Sequence, residues 1–496
     1  MRTSGVLMHI SSLPGNFGIG TFGENAYSFV DYLKKSGQTY WQILPLCPTS
    51  YGDSPYQSFS TFAGNPYFID LDVLNEQGLL EKDEYENIVW CDDITKVDYG
   101  KLYFERQKVF KAVQKHFFEN VPDGYNEFCD KNSFWLDDYS LFMAVKDEFG
   151  GKEFSKWDDD IRLRKSSALE RYRKSSKTQI DYYKMLQFLF YQQWYKLKNY
   201  ANENGIKIIG DLPIYVAGDS ADVWANPKQF MLDENQKPIE VAGCPPDAFS
   251  KAGQLWGNPV YDWNYMKNDN YSWWVLRLRE CLKIYDVIRI DHFRGFDSYY
   301  CIKAGRKDAK VGVWREGPKM DLFKVLKQEF GKIPIIAEDL GFLTPSVRRL
   351  LKQSKFPGMK VLQFAFDSRE ESNYLPHNYI KNCVVYTGTH DNDTILGWQK
   401  HSKRADVKFA KQYMNCKKEL NWAMIATAMA SVADTAIVTM QDVIGLGDEA
   451  RMNTPSTVGE NWKWRAKSEQ ISEETSERLL YYTKLYSREH KEKSKR

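Results

Sequence analysis

The chain carries almost no net charge. Its 496 residues hold 68 Lys and Arg against 66 Asp and Glu, so it offers no electrostatic footprint for nucleic acid or an anionic membrane surface. The eight cysteines (Cys47, Cys91, Cys129, Cys244, Cys281, Cys301, Cys383, Cys416) never form a CxxC pair and lie far apart in a long chain. A disulfide scaffold is thereby excluded, and reduced thiols in a cytoplasm are expected. A signal peptide needs an unbroken apolar core, yet His9, Pro14 and Gly15 interrupt the first stretch. The most membrane-like run, Ala423 to Met440, is broken by Ser431, Asp434 and Thr435, and reads as a buried helix followed by a strand. There is no internal repeat and no low-complexity tract beyond the charged tail EHKEKSKR. These absences leave a soluble protein with uncharged partners and no membrane or nucleic-acid role.

What is present is alternation. VLMHI (6–10) and YWQILPL (40–46) read as strands with a helical stretch between them ending near Gly37. From Thr178 to Gly205 apolar residues recur at steps of three and four, with a glycine suited to a helix C-cap, and the strand IKIIGD follows at once. The same grammar places Tyr271 to Tyr285 before VIRID, Asp321 to Gly331 before IPIIAED, Pro345 to Lys355 before KVLQFAFD, and Lys403 to Ala433 before AIVTMQD. Strands alternating with helices imply a parallel sheet, and about eight strands imply a closed (β/α)8 TIM barrel. Such barrels need about 250 residues and grow by insertion, so a single catalytic barrel over 1–496 is expected. Two stretches break the rhythm. Residues 74–178 are charged, aromatic and helix-patterned, a helical insertion whose basic run IRLRKSSALERYRKSSK reads as a solvated face. Residues 215–262, rich in Pro, Gly, Asn and Trp, suit a long loop over the barrel mouth.

Six apolar runs end in or run into an acid: Asp211, Asp291, Glu338, Asp367, Asp391 and Asp442. A strand's C-terminal end faces the rim where barrels place their active sites; one acid there is commonly a helix cap, but six form a pattern. Retaining glycoside chemistry uses an ionised carboxylate and a protonated carboxyl about 5–5.5 Å apart. Arg289, two residues before Asp291 on a strand, faces the same way and should lower its pKa. Glu338, among the apolar residues of IPIIA, is placed where burial raises a carboxyl, as a general acid requires. Asp391, beside His390, could hold substrate hydroxyls in a distorted ring. Aromatic residues make up 15% of the chain, and their faces can stack on sugar rings.

Beyond this, the sequence resembles the amylomaltases, bacterial 4-α-glucanotransferases of glycoside hydrolase family 77 related to the α-amylase clan. The likeness runs from SSLPG near residue 11 to NWKWR near residue 465. It includes YGDSPYQSFSTFAGNPYFIDL, GDLPIYV, PPDAFSKAGQLWGNPVYDW, RIDHFRG, AEDLG, TGTHDN and RMNTPSTVGENW. The resemblance implies transfer of α-1,4-glucan segments between maltodextrins, with Asp291 as nucleophile, Glu338 as acid/base and Asp391 as transition-state stabiliser. It also implies sugar contacts from Ser54, Tyr56, Asp211, Phe249, Gln254, Trp256, Arg289, His292, Asp367, His390 and Asn461. It implies no cofactor, no metal and no C-terminal β-sandwich. Where some members carry Tyr before the mouth-loop Phe, this chain has Ala248 before Phe249, within a segment from Cys244 to Trp256 suited to be a lid.

The residues alone support a retaining glycosidase, so an amylase-type α-glucan hydrolase is the nearest alternative and a non-catalytic glucan binder the next. Gly18, Gly20 and Gly23 match GxGxxG, but SSLPGNF separates them from the strand and the tight phosphate-holding turn is missing. Asp391, Asn392 and Asp393 lack the glycine and acid spacing of a calcium loop.

Overall fold

The computed structural model describes residues 2–50, 52–246, 251–341 and 343–489. Among them, twelve strands run in chain order: β1 Thr3–Leu7, β2 Tyr40–Gln42, β3 Lys207–Leu212, β4 Glu240–Cys244, β5 Gln254–Pro259, β6 Val287–Ile290, β7 Ser298–Lys303, β8 Val313–Glu316, β9 Ile335–Ala337, β10 Gly358–Val361, β11 Cys383–Tyr386 and β12 Thr435–Thr439. Eight close into a parallel barrel in the order β1-β12-β11-β10-β9-β6-β3-β2. Val6, Trp41, Ile208, Ile288, Val385 and Ile437 are fully buried, as expected of strands covered on both faces.

The helix Lys177–Glu203 shows how sequence sets an element's face and its end. Met185, Leu189, Trp194, Leu197 and Ala201 form its buried stripe, a helical period turned toward the barrel. It stops where Gly205 takes φ +78°, with Ile206 N–H donating to Ala201 O at 2.8 Å and Gly205 N–H to Asn202 O at 3.0 Å. A left-handed glycine closes the last turn in this way.

The barrel's seam joins the chain's two ends. β1 pairs in parallel with β12 from Thr3↔Thr435 to Leu7↔Thr439. The buried Arg488 guanidinium donates to Thr3 O at 2.8 Å, Met429 O at 2.7 Å and Ala433 O at 2.9 Å, satisfying carbonyls that water does not reach.

Three features depart from the sequence expectations. The single helix expected over Lys403 to Ala433 is two, Arg404–Tyr413 and Leu420–Ala430. Asn415, at φ +50°, ends the first by the glycine-type closure, with Cys416 N–H donating to Lys411 O at 2.8 Å. The stretch 215–262, expected as a loop, holds the helix Ala221–Ala225 and strands β4 and β5, which join β7 and β8 in an antiparallel sheet β5-β4-β7-β8. Strand β10 ends at Val361, and Leu362–Phe364 turns as a 3-10 helix, so Asp367 lies beyond the strand rather than on its last residue.

Residues 74–178 contain the helices Tyr99–Glu119, Tyr125–Glu148, Asp159–Arg162 and Ser166–Ser175. Trp135 and Phe128 meet Tyr191 and Phe188 of Lys177–Glu203 at ring-centroid distances of 6.1 and 5.7 Å. The basic run is paired locally: Arg162 with Asp159, Arg164 with Asp138 and Arg171 with Asp160, at 2.8, 2.7 and 2.9 Å. No helix among the described residues is long and apolar enough to cross a membrane.

Candidate active site

Strands β3, β6 and β9 are neighbours, and their C-terminal ends bring three acids and an arginine together. Register pairs Asp211 on β3 with Arg289 on β6. The Arg289 guanidinium Nη1 lies 2.6 Å from Asp211 Oδ2 and 3.1 Å from Asp291 Oδ1. The alternation of a strand makes this possible, since residues 289 and 291 project to one side. Past the strand ends the backbone stays laddered: Asp291 N–H donates to Leu212 O, and Glu338 N–H to Ile290 O, each at 3.0 Å. Glu338 is further pinned, its Oε2 accepting from His292 N–H at 2.7 Å and its Oε1 from Leu340 N–H at 2.9 Å. His292 reaches this position through a left-handed turn at φ +51°.

The same Asp211 oxygen, Oδ2, also accepts from the Tyr56 hydroxyl at 2.8 Å, and that hydroxyl lies 3.4 Å from His390 Nδ1. Tyr56 and His390 stack at 5.1 Å, and Trp462 closes on both at 5.8 Å. Ser54 shapes the turn that aims Tyr56, its Oγ accepting from Tyr56 N–H at 3.3 Å. His390 Nε2 lies 3.4 Å from Asp391 Oδ1. Across the rim, Trp256 meets His292 edge-on at 4.8 Å, and its Nε1–H donates to Gln254 Oε1 at 3.1 Å.

The electrostatics follow from many acids facing one guanidinium. Asp211 and Arg289 are sealed in, with side chains 0% and 4% accessible, whereas Asp291 keeps 31%. Burial pushes the Asp291 and Glu338 carboxyls above the ordinary range. Arg289 acts downward on Asp291, as the sequence suggests, but burial and the charges of Asp211, Glu338 and Asp391 outweigh it. That corrects the expectation of a lowered Asp291. Glu338 is raised as expected, although its two N–H donors favour the ionised form. The Glu338 charge is among the causes that raise Asp291, so the two acids do not titrate independently. Burial drives His292 down to about 3 and also lowers His390, so both imidazoles are neutral donors and acceptors.

Other anticipated residues are spent differently. The carboxylate of Asp367 is taken by Arg369, whose Nε–H donates to Oδ1 at 2.7 Å. Asn461 braces its own loop, accepting from Thr454 N–H at 3.0 Å and donating to Thr457 O at 2.9 Å. Phe249 lies outside the described residues. Asp442 is buried within the helix Met440–Ile444. Two residues escaped sequence reasoning. Asn453 donates to Asp391 Oδ1 at 2.6 Å, and Arg451 to the Asp391 carbonyl at 2.9 Å. They stand in the quoted motif RMNTPSTVGENW, but nothing local ties that motif to an acid some 60 residues earlier. Among the described residues no group of His, Cys, Asp and Glu is arranged to hold a metal.

A closed parallel barrel whose rim gathers raised carboxyls, a buried arginine and aromatic rings defines a carbohydrate-processing barrel enzyme. The family model described as 4-alpha-glucanotransferase matches residues 8–471. The 4-alpha-glucanotransferase of Clostridium butyricum is 51% identical over 485 residues, 97% of this chain and all of that one. That of Streptococcus pneumoniae serotype 4 is 52% identical over 493 residues, 98% of this chain and 97% of the relative. The solved amylomaltase of Streptococcus agalactiae in complex with acarbose superposes with a TM-score of 0.97 at 43% identity, covering 99% of this chain and 100% of that one. The chain belongs to this family, the 4-alpha-glucanotransferases of glycoside hydrolase family 77.

Proposed function

We propose that this 4-alpha-glucanotransferase passes α-1,4-glucan segments between maltodextrins with Asp291, Glu338 and Asp391 as its working acids. Asp291 Oδ attacks the anomeric carbon while Glu338 gives its proton to the glycosidic oxygen, so the bond to the leaving glucan breaks as the bond to Asp291 forms. The 4-hydroxyl of an acceptor then returns a proton to Glu338 and displaces Asp291, restoring the starting configuration. Asp391 holds ring hydroxyls as the oxocarbenium-like transition state forms. A transition state with positive charge at carbon gains from the acids around it, and one shared proton on the Asp291–Glu338 pair supplies acid and nucleophile together.

The observation that carries the assignment is the Arg289 bridge from Asp211 to Asp291 beside a Glu338 pinned by two backbone N–H groups. Tyr56, His292 and His390 are proposed to meet the donor sugar, with the sealed Asp211 holding Tyr56 and Arg289 behind them, and Gln254, Trp256 and Phe249 the acceptor side. Ser54, Asp367 and Asn461 are proposed as outer contacts. Acarbose in the Streptococcus agalactiae relative supports an α-glucan in this cleft. The eight unbridged cysteines support a cytoplasmic setting.

Incubation with maltotriose tests the assignment. Glucose with a ladder of longer maltodextrins is expected; glucose and maltose alone would mean a hydrolase, and an unchanged substrate a glucan binder.

A further inference from the structure

The strand-end acid that the proposed chemistry leaves unused is Asp442. It is 1% exposed, and it does not cap its own helix. Thr439 does that, its hydroxyl accepting from Asp442 N–H at 3.3 Å. The Asp442 carboxylate is turned instead to the segment after β11: Oδ2 accepts from the Thr387 hydroxyl at 2.9 Å, and Oδ1 from Ile395 N–H at 2.7 Å. Thr387 and Ile395 are both fully buried. Between these two fixed points lie His390 and Asp391.

We propose that Asp442 is a positioning residue for Asp391, its two oxygens tying both ends of segment 387–395 so that the acid at its tip stays where the transition state needs it. The proposal rests on the role assigned to Asp391 above. A loop has no ladder of strand hydrogen bonds to hold it, and a misplacement of about 1 Å at a reacting group can cost about 100-fold in rate. The span between the clamped ends has its own braces. Thr389 N–H donates to Asn392 Oδ1 at 2.8 Å, and Gln363 Nε2 donates to Asp393 O at 2.7 Å. Asp442 anchors this braced unit to the barrel wall, directly after β12. Asn421 holds the anchor in turn, donating from Nδ2 to the Asp442 carbonyl at 2.9 Å. Burial raises the Asp442 carboxyl to about 6, so near neutrality it is mostly ionised and both oxygens are free to accept.

The experiment measures kcat and KM of the full-length enzyme with α-maltosyl fluoride as donor and maltose as acceptor. The variants are T387V, D442A and D442N, each in the wild-type and the D391N background. T387V removes the tie to Asp442, and with it a 3.4 Å bond accepted from Thr439 N–H, without changing shape. It should lower kcat about tenfold with KM within about twofold, since only transition-state contacts are lost. D442A removes both ties and should lower kcat about 100-fold. D442N can still accept from Ile395 N–H and donate to the Thr387 oxygen, and should restore kcat to within about threefold. In the D391N background, T387V and D442A should change kcat by less than about twofold, because the acid they position is gone. Thermal unfolding of T387V, whose fold does not depend on filling a cavity, keeps the test valid if D442A fails to fold. Equal losses in both backgrounds, or full kcat in T387V, would overturn the proposal. If D391N itself kept wild-type kcat, the role of Asp391 would fall first, and the positioning role with it.

Discussion

The rim of the barrel has two arcs that hold their acids by different means. On the arc of β3, β6 and β9, Asp211, Asp291 and Glu338 sit on a strand or one residue past it, and the strand ladder itself fixes their backbones. On the arc of β10, β11 and β12, Asp367, Asp391 and Asp442 lie three to six residues past the strand ends. There the holding is done by single partners instead of a ladder: Arg369 for Asp367, Asn453 for Asp391, and the Thr387 hydroxyl and Ile395 N–H for Asp442. The bond making and breaking proposed above would fall to the laddered arc, where hydrogen bonds of the fold hold the acids' backbones rigidly. The loop arc can shape and stabilise, at the expense of a dedicated partner for every acid.

Substitutions on the two arcs should therefore differ in size. The largest effect is expected for D291A, which removes the attacking atom: kcat on maltotriose should drop by at least about 10⁴-fold. More than about 1% residual turnover would move the nucleophile elsewhere. E338Q should be nearly as inactive on maltotriose, yet with an activated fluoride donor it should accumulate a glycosyl-enzyme, seen as added mass on the intact protein. No added mass would remove the acid/base role. N453A, on the loop arc, deprives Asp391 of a charge-assisted bond worth about 1–3 kcal/mol, so kcat should fall about 10- to 100-fold. A loss as large as that of D291A would erase the distinction between the arcs. The pH response comes next. Asp291 and Glu338 are raised in the fold by burial, so their shared proton favours the folded, active form. That contribution is present below the ordinary carboxylate range and is lost as pH rises through the folded values. A rate that falls on the alkaline side is expected with maltotriose, and the fall should vanish with the fluoride donor, whose leaving group needs no proton. The smallest effect is expected for D367N: KM a few-fold higher and kcat unchanged, because an exposed Arg369 neutralises that carboxylate already.

The laddered arc was legible in the sequence because buried parallel strands are continuous β-branched runs. VIRID and IPIIAED announce strand, direction and rim position together, and the two-residue step from Arg289 to Asp291 announces a shared face. The loop arc was legible only as far as TGTHDN by likeness to a family, since Asn453 reaches Asp391 across 62 residues of chain and no periodicity encodes that distance. The pKa of Asp291 was misjudged for a related reason: Arg289 was visible two positions away, whereas Asp211, Glu338 and Asp391 converge only in the fold. The sheet β5-β4-β7-β8 was missed although SYYCIK is strand-like, because its partners lie in the Pro- and Gly-rich stretch 215–262. The helix expected over Lys403 to Ala433 was overextended because Asn415 did the work usually read from a glycine.

The pairing of β1 with β12 sets a timetable for synthesis. About 430 residues separate the two strands, and at about 5–20 residues per second the ribosome needs roughly 20 to 90 seconds to deliver the second after the first. Through that interval β1 has β2 on one side and no neighbour on the other, and an open edge of Val6 and Leu7 invites another chain. The Arg488 ties to Thr3 come later in the chain still, so β1 is among the last elements to be locked. Until β12 emerges the growing sheet thus keeps two open edges, β1 and its newest strand, in need of shelter, and the barrel closes only when β12 docks between β11 and β1.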